Sequence, residues 1–202
     1  EKMEVLFGAY IGIRDGKICH VGKTAPEQQP QTIIDGTGMV AMPGLVNCHT
    51  HLSYTGLRFL TDDLSGAEAL EQQLKYLSRL DERSAKAAAL LGIAECLRFG
   101  ITSVSDLSEQ VLPVAEAVKE SGIKGNIAMA CSRFVDENEE FDFDADPGCQ
   151  LLQKAVDTYH GCEDGRIRID AGIHAEYTSN YPLWEALYAY AQDKDLGLQL
   201  HL

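Results

Sequence analysis

The chain has 202 residues, a formal net charge of −14 and a sequence pI near 4.7. Hydrophobic residues make up 45% and charged residues 24%, values that are typical of a globular protein with a sizeable core. An acidic surface repels phosphate backbones and anionic lipids, which argues against nucleic-acid and membrane partners. The six cysteines form no C-x-x-C pair, and no apolar run reaches the roughly 18 residues of a membrane span. These features predict a cytoplasmic protein with reduced thiols.

Residues 1–43 differ in pattern from the rest of the chain. Short β-type runs, separated by turns that contain glycine, predict a small antiparallel β unit without a long helix. The four runs are Tyr10–Arg14, Lys17–Val21, Thr32–Asp35 and Met39–Met42. Asp15-Gly16, between the first two runs, is typical of a hairpin turn.

From residue 44 onward, apolar strands alternate with helices. The predicted strands are Leu45–Cys48, Ile101–Ser105, Lys124–Ala130, Arg166–Ile173 and Leu198–His201. The predicted helices are Glu68–Leu80, Ser84–Phe99, Gln110–Ser121, Pro147–Tyr159 and Pro182–Lys194. An exposed acidic loop is predicted over Asp136–Asp146. This alternation indicates an α/β fold in which helices cover a parallel sheet. Both an open doubly wound sheet and a (β/α)₈ barrel fit, but no G-x-G-x-x-G follows the first strand, as a dinucleotide-binding sheet would require.

Three of the five predicted strands end in histidine. His49 and His51 end the first strand, His174 the fourth and His201 the fifth. The carboxyl ends of all strands of a barrel meet around one mouth, where active sites lie, so these histidines favour the barrel. His49 and His51 lie two residues apart on a strand and therefore point to the same side. With His201 they would form a three-nitrogen zinc site that leaves one position open for water.

Such a site predicts a class of chemistry. Zinc lowers the pKa of bound water strongly, to about 7, and so provides a hydroxide nucleophile. The hydroxide could attack an amide carbon, an amidine-like ring carbon or an aryl chloride. A single histidine at a strand end is more often a satisfied polar residue than a ligand. The combination of His49, His51 and His201, rather than any one of them, therefore carries the prediction.

Four segments carry a family resemblance. Pro43–Leu52 resembles the P-G-(L/F)-(V/I)-(N/D)-x-H-x-H signature of the amidohydrolase superfamily. Thr55–Leu64 is similar to the T-x-L-R-G-x-x-D-D-L segment of the S-adenosylhomocysteine and 5′-methylthioadenosine deaminases, a group related to the chlorohydrolases. Ile173–Ser179 is similar to the H-A-P-Y-(T/S) stretch of that group, and Gln199–Leu202 resembles the start of its H-(I/L)-H-x-x-E motif.

The resemblance implies a fold and a set of site residues. The fold is a distorted (β/α)₈ TIM barrel with a small β-sandwich; residues 1–43 would form part of the sandwich and residues 44–202 the N-terminal part of the barrel. His49, His51 and His201 would bind one divalent metal, with zinc favoured and iron as the second candidate. His174 would contact the substrate. No lysine occurs between residues 154 and 194, so the bridging carboxylated lysine of binuclear relatives has no counterpart, which favours a single metal.

The five predicted strands are too few to close an eight-stranded barrel. The resemblance also places the fourth metal ligand and the acid–base residues after Leu202. We therefore expect the chain to be part of a longer enzyme, and no catalytic acid or base is assigned within it.

The resemblance implies a zinc-dependent hydrolase that acts on carbon–nitrogen bonds other than peptide bonds. The favoured reaction is deamination of an aminated N-heterocycle that resembles adenosine, a pterin or a triazine. Alternatives are hydrolysis of a cyclic amide or a chloro-heterocycle, and a catalytically dead binding module. Ser78 stands where a nucleoside-contacting glutamate is expected, and Arg133 falls one place late for an expected arginine. S-adenosylhomocysteine is therefore not expected to be the best substrate; the expected partner is a small molecule, and a homo-oligomer is left open.

Overall fold

The computed structural model describes residues 4–136 and 141–201. By internal contacts the chain separates into two compact units, Glu1–Met42 and Pro43–Leu202. None of the helices in the described ranges is long and apolar enough to cross a membrane.

The first unit contains a β-hairpin. Strands β1 (Tyr10–Arg14) and β2 (Lys17–Gly22) pair in antiparallel register. Asp15 and Gly16 form the turn between them with φ values of 50° and 71°. Positive φ at both central residues matches the right-handed twist of the flanking strands, and this confirms the predicted hairpin.

The other two predicted strands of this unit are wrong. No strand forms over residues 32–35 or 39–42, and the only backbone bond there is a turn in which Met39 N–H donates to Gly36 O at 2.9 Å. The side chains of Ile33 and Val40 are 81% and 86% exposed. A β-type run forms a strand only against a partner that it can pair and pack with, and the described residues offer these runs none. The β-sandwich therefore stays a prediction.

The second unit follows the predicted alternation of strands and helices. It consists of β3 (Leu45–Thr50), a 3₁₀ helix (Leu52–Leu57), α1 (Gly66–Leu77), α2 (Glu82–Arg98), β4 (Ile101–Ser108), α3 (Val111–Ser121), β5 (Lys124–Cys131), α4 (Pro147–Tyr159), a one-turn α5 (Cys162–Gly165), β6 (Ile167–Ala175), α6 (Tyr181–Lys194) and β7 (Leu198–His201). The five strands form one parallel sheet in the order β3-β4-β5-β6-β7. All five strands predicted in this unit are confirmed.

Aspartates fix the start of two helices. Asp146 accepts a hydrogen bond from Cys149 N–H at 3.0 Å, and Pro147 occupies the first turn of α4. Asp81 caps α2 by accepting from Ser84 N–H at 2.7 Å, so this helix begins two residues before its predicted start. These side chains satisfy amide groups that have no partner inside the helix.

The predicted acidic loop needs a correction at its end. Residues 137–140 of this segment lie outside the described residues. Asp146 is only 5% exposed, because its carboxylate both caps α4 and pairs with Arg133 at 2.7 Å. A run of acidic residues in the sequence does not show that one of them, Asp146, is buried in a helix cap and an ion pair.

The two faces of the sheet pack differently. Val104, Ile127 and Ile169 are at most 1% exposed and belong to the main core with the helices. Leu107, Ala128 and Ala130 form a separate small cluster. Because neighbouring residues of a strand point to opposite faces, this second cluster lies on the other face of the same strands.

The sheet is strongly curved. Neighbouring strands lie about 4.8 Å apart, so a flat sheet would hold β3 and β7 about 19 Å apart. The Nε2 atoms of His49 on β3 and His201 on β7 nevertheless lie 3.1 Å apart. Ser105 on β4 also donates a hydrogen bond at 3.2 Å to Gln199 on β7, although two strands separate them in the sheet. The five strands therefore form a half-barrel, with these side chains on its inner face.

Candidate metal centre

Three histidines converge at the carboxyl ends of the edge strands. His49 lies in β3, His51 directly follows that strand, and His201 ends β7. Their ring centroids lie 4.9 Å (His49–His51), 4.9 Å (His49–His201) and 5.1 Å (His51–His201) apart. One ring nitrogen from each residue can be chosen so that all three lie within 4.8 Å of one another. The structure thus brings together the three residues that the sequence singled out as ligands.

The donor set fits a zinc ion. Two imidazole nitrogens bound to zinc at about 2.0–2.1 Å in tetrahedral geometry lie about 3.3 Å apart. The distance between the Nε2 atoms of His49 and His201 is 3.1 Å. Three imidazoles and an open fourth position are the donor set of catalytic zinc sites. Within residues 4–136 and 141–201, no other group of three or more potential ligands is this close.

Hydrogen bonding and burial determine the protonation and orientation of His51. Its Nδ1–H donates to Leu107 O at 2.6 Å, which leaves Nε2 with a free lone pair. Burial is the largest effect on this imidazole and lowers its pKa; the neighbouring His201 and His49 lower it further, whereas the bond to Leu107 opposes the change. A neutral imidazole at neutral pH is the form that binds a metal.

The segment that follows β3 is tied to the end of β4. Four successive residues of one segment contact four successive residues of the other. The contacts pair His51 with Leu107, Leu52 with Asp106, Ser53 with Ser108 and Tyr54 with Glu109. The Tyr54 ring also stacks on the His51 ring at a centroid distance of 5.0 Å. Sequence reasoning missed these β4 residues, although polar side chains at the carboxyl end of a strand were the signal that identified the histidines.

Burial strongly perturbs the carboxyl group of Asp106. Its side chain is fully buried, and burial raises its pKa to about 7 even though Leu52 N–H donates to it at 2.6 Å. The second carboxylate oxygen, Oδ1, has no hydrogen-bond partner among the described residues. Burying a carboxylate that accepts one hydrogen bond and pairs with no described cation costs free energy, so we asked what this carboxylate contributes.

His174 lies beside the three histidines. Its ring centroid is 5.3 Å from that of His201, and its Nδ1 is hydrogen-bonded to Thr178 Oγ at 3.0 Å. It does not belong to the group whose ligand atoms converge. The structure therefore places His174 at the same end of the sheet, next to the three-histidine cluster.

The two positions that depart from the family pattern have local partners. Ser78 occupies the C-cap position directly after α1, and its hydroxyl donates to Lys75 O at 3.0 Å. Arg133 follows β5 and pairs with Asp146 at 2.7 Å. The pKa of Asp146 is lowered, because the Arg133 side chain and Cys149 N–H together outweigh the opposing effect of burial.

A polar layer lies deeper on the inner face of the sheet. Asp170 on β6 accepts hydrogen bonds from Asn126 Nδ2 at 2.7 Å, Gly197 N–H at 3.0 Å and Gln199 Nε2 at 3.3 Å. Gln199 is two residues before His201 on β7, so the two side chains point to the same side. This network anchors the strand that carries His201.

The curved parallel sheet and the three-histidine cluster at its strand ends agree with the family that the sequence motifs resemble. The model of the amidohydrolase family matches residues 40–202. The chain belongs to the amidohydrolase family.

Curated relatives are nucleoside deaminases. The chain is 32% identical over 191 residues to a 5′-deoxyadenosine deaminase of Methanobrevibacter smithii, a match that covers 94% of this chain and 43% of the relative. It is 37% identical over 175 residues to a 5-methylthioadenosine/S-adenosylhomocysteine deaminase of Dictyoglomus thermophilum, covering 84% of this chain and 38% of the relative. The chain thus spans less than half the length of these relatives.

Two similar solved structures contain zinc. One is an adenosine deaminase from Xanthomonas campestris with bound zinc, with a TM-score of 0.78, 25% identity and coverage of 98% of this chain and 45% of that one. The other is atrazine chlorohydrolase from Arthrobacter aurescens complexed with zinc, with a TM-score of 0.80, 27% identity and coverage of 96% and 48%.

Proposed function

We propose that the protein is a zinc-dependent hydrolase in which His49, His51 and His201 bind one divalent ion. The convergence of the three imidazoles from the two edge strands of the curved sheet is the observation that carries this proposal. The zinc in two similar structures supports zinc over iron. The curvature of the sheet supports the further proposal that these strands belong to a (β/α)₈ barrel.

The residues of this chain have distinct tasks in the proposed site. When bound, the ion supplies a hydroxide nucleophile at neutral pH and polarises the bond under attack. His51 is held by the Leu107 carbonyl so that Nε2 remains free for the metal. His174, next to His201, contacts the substrate. No general acid or base is assigned among the described residues.

The substrate we propose is an aminated N-heterocycle of the adenosine type, which loses its amino group as ammonia. The two curated relatives that act on adenosine derivatives support this choice. Arg133 is engaged by Asp146, so it is not a free cation for an amino-acid carboxylate. We therefore infer a preference for nucleosides without a homocysteine tail over S-adenosylhomocysteine.

A second candidate is hydrolysis of a carbon–chlorine bond in a chloro-heterocycle. The similarity to atrazine chlorohydrolase, at a TM-score of 0.80 and 27% identity, favours it as the alternative. The same hydroxide could attack a ring carbon in both reactions, and only the leaving group differs. Release of chloride rather than ammonia would select this candidate.

The metal site is tested by measuring the bound metal in purified variants. We expect about one zinc per chain in the wild type and none in His49→Ala or His201→Ala, because loss of one of three ligands leaves an incomplete site. His20→Ala is the matched control: His20 is bonded to Thr24 O in the hairpin and should not affect the metal. His174→Ala should retain the metal and lose about 10–100-fold in kcat/KM, the effect of one lost hydrogen bond to substrate.

The reaction is tested in the longer enzyme to which we expect this chain to belong, by assaying ammonia and chloride release from 5′-deoxyadenosine, 5′-methylthioadenosine, S-adenosylhomocysteine and a chlorotriazine. We expect ammonia release with the first two substrates preferred. Full activity of a metal-free His49→Ala protein would refute the metal-dependent mechanism. A wild type that holds zinc but converts none of these compounds would favour a binding module.

A further inference from the structure

The 3₁₀ helix Leu52–Leu57 begins immediately after a proposed metal ligand. His51 occupies its N-cap position but makes no capping hydrogen bond with its side chain. Its Nδ1–H is bonded to Leu107 O, and Nε2 is needed for the metal. An N-cap side chain normally accepts a bond from one of the first amide groups of the helix, so the ligand role of His51 removes this acceptor.

Asp106 supplies an acceptor from the neighbouring strand. Its Oδ2 accepts from Leu52 N–H at 2.6 Å, and both residues are almost completely buried, at 0% and 2% exposure. Asp106 pairs with Thr50 in the β3–β4 ladder, so its carboxylate lies beside the point where β3 turns into the 3₁₀ helix. It therefore satisfies the first amide group of this helix, which receives no hydrogen bond from the side chain of His51.

Burying the Asp106 carboxylate costs free energy that a residue required only for packing would avoid. Asp106 has no ion pair with a described residue, and its Oδ1 has no hydrogen-bond partner there. An apolar side chain of similar size is usually at least as favourable as a buried, incompletely bonded charge. An apolar side chain would, however, leave Leu52 N–H buried and unbonded, directly after His51.

We propose that Asp106 is a positioning residue for His51. By holding the Leu52 amide, it fixes the peptide that follows His51 and so directs the imidazole toward His49 and His201. The Leu107 carbonyl orients the ring, and Asp106 holds the backbone from which the ring projects. This inference rests on the proposed metal site.

The test uses cobalt, whose visible absorption reports coordination geometry, as a probe in zinc-free protein. Asp106→Ala removes the acceptor, and we expect cobalt to bind about 10–100-fold more weakly and with an altered spectrum, as on loss of a residue that orients a ligand. Asp106→Asn keeps an oxygen that can accept from Leu52 N–H. It should bind cobalt with nearly wild-type affinity and an unchanged spectrum.

Asp146→Ala is the matched control. Asp146 is also buried and caps a helix, accepting from Cys149 N–H at 3.0 Å, but it does not contact the residues that follow His51. We expect this variant to lose stability and to keep the wild-type cobalt affinity and spectrum. A general loss of stability would affect both alanine variants, whereas a positioning role affects only Asp106→Ala.

Two results would overturn the inference without touching the metal site. One is an Asp106→Ala protein with wild-type cobalt affinity and spectrum; the other is an Asp106→Asn protein with cobalt binding weakened tenfold or more. If Asp106→Ala does not fold, two measurements test the positioning role instead: cobalt binding by Asp106→Asn and hydrogen exchange of the Leu52 amide in the wild type. We expect slow exchange there, and fast exchange would overturn the inference. A wild type that binds no cobalt would refute the proposed metal site as well.

Discussion

Asp106 makes the stability of the protein depend on pH. Burial raises its pKa in the folded state to about 7, compared with 3.8 for an ordinary aspartate. The folded protein therefore holds this proton more tightly than the unfolded chain does. The resulting stabilisation is fully present below about pH 4 and is lost as the pH rises through about 7.

Asp106→Asn should remove this dependence, because the amide does not titrate. We compare the free energy of unfolding of the variant with that of the wild type. From pH 4 to pH 8, we expect this difference to shift in favour of the variant by on the order of 3–4 kcal/mol. Urea unfolding of both metal-free proteins at several pH values measures this difference. Parallel pH profiles for the two proteins would contradict it.

Asp106 also illustrates what could be predicted at the level of single residues. His49, His51 and His201 were predictable because several predicted strands end in histidine and a pair two residues apart points to one side. The sequence showed Asp106 at the end of a strand as well. Its role depends on the Leu52 amide, 54 positions away, and no local pattern reveals that contact.

Strand β6 contains a glycine that the curved sheet requires. A Cβ at position 172 would collide with the Met129 carbonyl oxygen and lie 2.7 Å from Leu107 Cδ1. Met129 belongs to β5, so its backbone cannot move without breaking the ladder between β5 and β6. The inner face of the sheet therefore has no room for a side chain at this position.

Gly172→Ala should lower the free energy of unfolding by about 1–3 kcal/mol, the usual effect of overpacking. The matched control is Gly66→Ala in α1, where no atom lies within 4 Å of the added Cβ and alanine is the better helix former. Denaturant unfolding compares the two variants. Equal stability of both would show that the sheet has room at position 172.

Element boundaries were predictable where the signal is local. Asp146 and Pro147 mark the start of α4 because capping and the fixed φ of proline act within one turn. The runs at residues 32–35 and 39–42 carried an equally clear β pattern, yet they form no strand. A strand needs a partner, and composition alone does not show whether one is available.

A metal ion would link the two edge strands of the half-barrel, since His49 lies in β3, His51 directly follows it and His201 ends β7. Because the unfolded chain lacks this arrangement, metal binding should stabilise the folded state. At a zinc concentration about 100 times the Kd, the gain is about 2.7 kcal/mol.

For a cooperative unit of about 150–250 residues, that gain corresponds to an increase of about 5–10 °C in Tm. We expect zinc to raise the Tm of the metal-free wild type by this amount and to leave His201→Ala unchanged. Thermal unfolding with and without zinc is the measurement, and magnesium serves as the control ion because it prefers oxygen ligands. The same zinc shift in His201→Ala would mean that zinc binds elsewhere.

The sequence by itself determined the order of strands and helices after residue 43 and the three histidines of the candidate metal centre. Hydrophobic periodicity, helix caps and strand-end residues depend on neighbours within a few positions, so they can be read along the chain. The resemblance of Pro43–Leu52 to the amidohydrolase signature added the family, which the match over residues 40–202 confirmed.

Only the tertiary structure decided how far the sheet curves and which polar groups meet at its end. His49 and His201 are 152 positions apart, and their approach depends on how three intervening strands twist and pack. The ion pair of Arg133 with Asp146 and the bond of Leu52 to Asp106 likewise join separate elements. Such contacts result from the summed packing of the whole unit, so no local pattern in the sequence specifies them.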